Sequence, residues 1–137
     1  MLKWSFRIVR RRVRRRPSSK KERREGLFIY GGEARKLIHS RLEYFNQFYN
    51  LKYQKVFIKS QTTRWGSCSA RGNLNFNYKI VFLPSHLADY IIVHELCHLG
   101  EFNHSKRFWN LVAKIVPDYS KHRKELKEIN MELLKQK

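Results

Sequence analysis

Apolar positions along this chain change their spacing repeatedly, and each change marks a structural element. At the start Leu2, Trp4, Phe6 and Ile8 alternate with Lys3, Ser5 and Arg7, the two-residue period of a short strand. That alternation passes into an arginine run over residues 10–16 and then Pro17-Ser18-Ser19-Lys20-Lys21, which reads as a basic, solvated arm. After Gly31-Gly32 the period becomes helical. Ala34, Leu37, Ile38, Leu42, Phe45, Phe48 and Tyr49 recur at i, i+3, i+4 spacing with charges between them, predicting an amphipathic helix over residues 33–50 whose aromatic stripe belongs to the core. Residues 55–60 and 73–77 alternate again as strands, and Gly66 and Gly72 between them suggest a bulge and a hairpin turn. A small antiparallel sheet is therefore expected.

Residues 78–83 are apolar and fit either a strand continuation or a helical turn. Pro84 and Ser85 then supply a helix start, Ser85 as a good N-cap, and the helix carries Leu87, Ile91, Val93, Leu96 and Leu99 up to a stop at Gly100. A third helix is expected from about Ser105, burying Phe108, Leu111, Val112, Ile115 and Val116 and ending at Pro117. A last one from about Asp118 sets His122, Leu126, Ile129 and Leu133 on one stripe. The fold class is α+β, divided into an Arg-rich arm over residues 1–26 and a domain over residues 27–137.

The chain's 137 residues have room for one hydrophobic core and no second catalytic domain. Cys68 and Cys97 are its only cysteines and form no CxxC pair, which argues against a disulfide framework or a Cys-rich zinc ribbon and for a reducing, cytoplasmic setting. No apolar run approaches the roughly 20 residues that cross a bilayer. The net charge of +19 changes the picture of partners. Residues 1–25 hold 12 Lys/Arg against 2 Glu, but the rest of the chain is basic as well. Polyanions bind such surfaces by counterion release, so nucleic acid, ribosomal RNA or an anionic membrane all suit it. Arg10, Arg11, Arg12, Arg14, Arg15 and Arg16 form either a nucleic-acid-binding arm or a merely solvated tail.

The strongest chemical signal is His94-Glu95-Leu96-Cys97-His98, an HExxH on a helix. Positions four apart lie on one helix face about 6 Å apart along the axis, so both imidazoles can reach one tetrahedral zinc. Glu95 projects about 100° round from His94, free of the metal and placed to take a proton from water as general base. A third ligand must come from beyond the helix. Spacing favours His104, which follows the Gly100 stop. Glu101 is too near the helix end to return, Cys97 lies about 100° off the His94/His98 face, and His39, His86 and His122 are distant in sequence. Chance alone produces HExxH in about one chain in a few hundred of this length. The helical setting, the buried run before the motif and the third histidine after it decide for a metal centre holding Zn2+.

Three stretches carry a resemblance: Thr63-Arg64-Trp65-Gly66-Ser67-Cys68-Ser69, Val93-His94-Glu95-Leu96-Cys97-His98-Leu99, and Asn103-His104-Ser105-Lys106-Arg107-Phe108-Trp109. Together they resemble the YgjP-like metal-dependent hydrolases, relatives of the SprT-like and WLM zinc peptidases, with a short arginine-rich stretch where typical members have a longer β-rich segment. The resemblance covers about residues 32–135. It implies a zincin-like, minimal gluzincin-type core: an N-terminal helix on a small sheet, an active-site helix and two C-terminal helices. It also implies His94, His98 and His104 as metal ligands and Glu95 as the catalytic acid/base. Arg64 either stabilises an oxyanion or holds a loop, Trp65 and Gly66 read as structural, and Cys68 as a buried thiol. Tyr78 and Tyr119 are both able to donate to a tetrahedral intermediate.

Three functions compete. A zinc metallopeptidase acting on protein or peptide is favoured by HExxH on a helix. A metal-dependent nucleoside triphosphate (UTP) pyrophosphatase is the alternative within the same family, although the chain has no Gly-rich phosphate loop and no carboxylate cluster for magnesium. A non-enzymatic basic nucleic-acid-binding module with structural zinc is the third, and Glu95 argues against it because a closed structural site needs no carboxylate there.

Overall fold

The computed structural model describes residues 19–129. The N-terminal alternation, the arginines at 10–16 and Leu133 lie outside them. The first helix, α1 (Lys20–Tyr49), begins well before the glycine pair at 31 and 32 and is continuous across residue 26. The reason is a capping box that hydrophobic periodicity does not reveal. Ser19 Oγ accepts the Glu22 N–H at 3.1 Å, and the Glu22 carboxylate accepts the Ser19 N–H in return. At Gly26 the helix passes close under the Tyr78 ring, whose hydroxyl end a Cβ there would meet. Asn50, in the left-handed region at φ 51°, ends α1. The Asn46 side chain then clamps Leu51, accepting its N–H and donating to its carbonyl, both at 2.8 Å.

The sheet has three strands in the order β1-β3-β2: β1 (Val56–Lys59), β2 (Gly66–Cys68) and β3 (Leu74–Asn77). The antiparallel hairpin is formed by β3 with β2, a strand inside the stretch that the sequence reads as bulge and turn, pairing Gly66 with Phe76 and Cys68 with Leu74. β1, however, runs parallel to β3, with Val56 opposite Leu74 and Lys59 opposite Asn77, so the sheet is mixed and not antiparallel throughout. Two chain reversals, one on each side of β2, restore the direction of β1 in β3, and β1 takes the edge of β3 that β2 leaves open. Asn77 ties the first reversal down by donating to the carbonyls of Gln61 at 2.7 Å and Arg64 at 3.1 Å. Its Oδ1 accepts the Lys79 N–H and so opens a 3-10 helix over Tyr78–Phe82, which settles that stretch as a helical turn.

At the centre lies α2 (Ser85–Cys97), apolar enough to be buried from Leu87 to Cys97 apart from Asp89. Its N-cap is Pro84 and not Ser85. It packs against α1, β2, α3 (Lys106–Ala113) and α4 (Tyr119–Glu128). Arg41 fixes α1 to it through a two-pronged ion pair with Asp89 at 2.8 and 3.0 Å. Ser105 caps α3, which stops before Ile115, so that Ile115 and Val116 are only partly buried in the following turn. Trp65, Leu74, Phe76, Ile38, Leu42, Ile91, Leu96 and Phe108 fill the space between the layers. The α+β class, with one N-terminal helix, a central HExxH helix and two helices after it, is as the sequence implies. Among the described residues no helix is long and apolar enough to cross a membrane.

The β2–β3 hairpin turns on Gly72 at φ +83°. An alanine there meets only ordinary contacts, the nearest being Gln54 Cγ at 3.7 Å, so its cost is conformational. Gly72→Ala is expected to lose about 1–2 kcal/mol. Urea denaturation should show this as a lower midpoint with an unchanged slope.

Candidate metal centre

The end of α2 and the start of α3 form the site between them. His94 stands in the last turn of α2, and His98, one turn on, is its C-cap residue. The chain then tightens, with Gly100 and Glu101 both donating N–H bonds to the Cys97 carbonyl at 3.0 Å. A Cβ on Gly100 would crowd Leu111 Cδ2 at 3.2 Å, so the small residue lets this turn lie against α3. The chain returns at His104, held by the cap at Ser105, whose Oγ accepts the Phe108 N–H.

This path brings three Nε2 atoms together: His94 to His98 at 3.0 Å, His98 to His104 at 3.1 Å and His104 to His94 at 3.2 Å. A tetrahedral ion about 2.0–2.1 Å from each nitrogen would separate them by about 3.3 Å, close to what is found. His98 Nδ1–H donates to the Glu101 carbonyl at 3.0 Å, which fixes the tautomer and turns the Nε2 lone pair toward the other two rings. Phe108 stacks on His98 at 4.3 Å, and Trp109 stacks on His104 at 5.7 Å and on Tyr119 at 4.8 Å. Burial pushes His94 well below the usual histidine range, helped by the neighbouring His98 and His104. Burial likewise brings His98 down to about 4, and lowers His104 together with the charge of Arg123. All three are therefore neutral imidazoles near pH 7, the form that binds metal.

Glu95 is fully buried, as are His94 at 1% and His98 at 0% exposure. It turns toward β2, where a Cβ on Gly66 would lie 3.0 Å from its Cγ. Among the described residues neither carboxylate oxygen has a hydrogen-bonding protein partner. Burial raises its pKa well above the usual carboxylate range. Three converging neutral imidazoles fit a bound divalent metal, and a buried carboxyl without a protein partner next to them in sequence would be costly in an inert core.

The rival ligands do not join the triad. Glu101 contributes its backbone carbonyl, and burial pushes the Cys97 thiol up to about 12. His86 and His122 meet elsewhere, at the α2–α4 seam, and His39 belongs to neither group. The Cys68 thiol is buried and raised to about 12 by burial and then by Glu95, which leaves it protonated. Trp65 is core. Arg64 lines a polar cleft of about 380 Å³ with Arg23, Ser60, Gln61, Thr62 and Thr63. Tyr78 stacks on Tyr30, while Tyr119 reaches the centre's edge through Trp109.

The residue that sequence reasoning passed over is Arg123. Its guanidinium lies 5.2 Å over the Trp109 ring, and its positive charge depresses both His94 and His104. Helical spacing back from the buried Leu126 through Arg123 to Tyr119 was the available signal.

The sequence profile of a family described as YgjP-like, metallopeptidase domain, matches residues 5–129, so the match takes in most of the arginine-rich stretch. The crystal structure of the metallopeptidase zymogen of Pyrococcus abyssi abylysin aligns with a TM-score of 0.57 and 22% identity, over 65% of this chain and 90% of that one. This is a likeness of fold. No curated protein matches the chain.

Removing one imidazole from the triad leaves two ligands for the ion. In zinc titrations of chelator-stripped protein, His104→Ala is expected to weaken the triad's affinity at least about a hundredfold, beyond the range that losing an outer partner costs.

Proposed function

The chain belongs to the YgjP-like metallopeptidase family, and we propose that it is a zinc peptidase acting on protein or peptide substrates with Glu95 as general base. A metal-dependent hydrolase follows from the family; zinc, the peptide bond and the roles of individual residues are proposals. The peptidase reading is carried by one observation: three neutral imidazoles converge to within 3.0–3.2 Å, and the residue next to His94 on α2 is a buried carboxyl that no protein group satisfies among the described residues. His94, His98 and His104 would hold the ion. When bound there, zinc lowers the pKa of water toward about 7 and polarises a scissile carbonyl.

The chain's own groups do the rest. Glu95 takes the proton of the attacking water and passes it to the leaving amine, so the carboxyl returns to its starting form at the end of each turnover. Its surroundings suit this work, since a carboxyl in an apolar pocket holds a proton more tightly than one in water. Arg123, held over Trp109, brings a fixed positive charge within reach of the triad, which favours the negative charge that builds on the scissile oxygen. Phe108 and Trp109 keep His98 and His104 in place by stacking.

Two variants test the assignment, with casein and UTP as parallel substrates. Glu95→Gln is expected to keep its zinc and lose casein cleavage by about 10²–10⁴-fold. Release of diphosphate from UTP, abolished by the same substitution while casein is untouched by the wild type, would instead identify a nucleotide hydrolase. Arg123→Ala should lower kcat by about 10²-fold or more, with a smaller change in KM, because the charge acts on the transition state.

A further inference from the structure

Outside the triad, the seam between α2 and α4 gathers a second set of metal-ligating side chains. His86 lies in the first turn of α2, and its Nε2 donates to the Glu125 carboxylate of α4 at 3.0 and 3.1 Å. His122 stands three residues before Glu125 on α4 and so shares its face. Its ring centre is 5.3 Å from that of His86, inclined by 49°. Each of the three residues offers one donor atom, and these atoms lie within 4.8 Å of one another. His122 Nδ1 is shielded from solvent and, among the described residues, makes no hydrogen bond. A plain ion pair between His86 and Glu125 explains neither the approach of His122 nor its orphaned nitrogen.

We propose that His86, His122 and Glu125 form a second divalent-metal site, taking zinc or another imidazole-seeking first-row ion, which clips α4 to the start of α2. Two imidazoles and a carboxylate are the donors such ions select. Binding releases the Nε2 proton of His86 to water, and the metal replaces it as the link to Glu125. The donor atoms are spread more widely than those of the triad, and the His86 and Glu125 side chains are 46% and 42% exposed. Water therefore completes the coordination and the site is the weaker of the two. A cleft of about 510 Å³ whose lining includes His86 and His122 gives the ion access, and its other charged groups, Asp89 and Asp118 against Arg41 and Lys114, are balanced in number.

The site bears on the triad through α4. That helix carries Arg123 and Tyr119, both packed on Trp109, which in turn stacks on His104. Tyr90 bridges the two clusters, its ring 6.1 Å from His122 and 6.0 Å from His94.

Five of the six histidines stand in these two clusters, so metal stoichiometry reports on them directly. The test is calorimetric titration of the untagged, chelator-stripped full chain with zinc chloride. Wild type is expected to bind two ions, one tightly and one less so. His122→Ala and the near-isosteric Glu125→Gln should each weaken the second event at least about tenfold and leave the tight one intact. His104→Ala should remove the tight event and keep the weaker. One ion per chain, lost in His104→Ala and unchanged in His122→Ala and Glu125→Gln, overturns the second site and leaves the triad standing. Two ions with no peptide cleavage would support the second site and count against the peptidase reading alone.

Discussion

Nitrogen lone pairs that point at one spot repel one another unless a cation lies between them, and the stretch from residue 94 to residue 104 is built to hold three in that arrangement. His94 and His98 obtain it from helical spacing. His104 obtains it from the turn at Gly100 and the cap at Ser105, which together send the chain back toward the end of α2. Burial adds a second constraint by keeping the rings neutral, so that they present lone pairs and not charges. Phe108 and Trp109 close the rings in with stacked aromatic faces. A cation at the focus would relieve the repulsion and would account for so much polar surface inside a small core.

The same economy shapes α2. Its apolar residues face α1, the sheet, α3 and α4, so the helix is the core as well as the frame of the site. Polar groups on such a helix are costly, several kcal/mol for an unpaired charge. Asp89 meets the cost with Arg41. Glu95 has no such partner among the described residues and faces Gly66, where a side chain would press on both its Cγ and the Asn75 carbonyl at 3.0 Å. The glycine of β2 thus makes room for the carboxyl, linking the Arg64-to-Ser69 stretch to the centre through space and not through a charged contact.

Local signals were legible in the sequence, and long-range ones were not. HExxH, the return at His104 and the capped start of α3 all depend on a few neighbouring residues, and spacing alone located them. The extent of α1 was missed because hydrophobic periodicity weakens among Gly26, Gly31 and Gly32, whereas the Ser19–Glu22 box that starts the helix lies in the charged stretch read as an arm. The parallel pairing of β1 with β3 was missed because alternation gives a strand's faces and not its neighbour. Full burial of Glu95 follows from the packing of β2 on α2, which no spacing within α2 encodes. Arg123 needs the docking of α4 before its charge means anything to the triad.

That docking shows how a small fold brings an exposed charge to the edge of its buried triad. α4 has one fully buried apolar side chain, Leu126, and is otherwise polar, so hydrophobic burial alone anchors it lightly. Its position rests in addition on aromatic stacking through Tyr119 and Trp109, on Arg123 over the same indole, and on the His86–Glu125 contact at the far end of α2. The first two of these contacts lead to His104, and the third leads to the opposite end of the helix that carries His94. A helix held at both ends by polar and aromatic contacts can be tightened or loosened by whatever occupies the seam, with little change in the apolar core. The electrostatics of the triad therefore draw on α4 as well as on the motif that first marks the site.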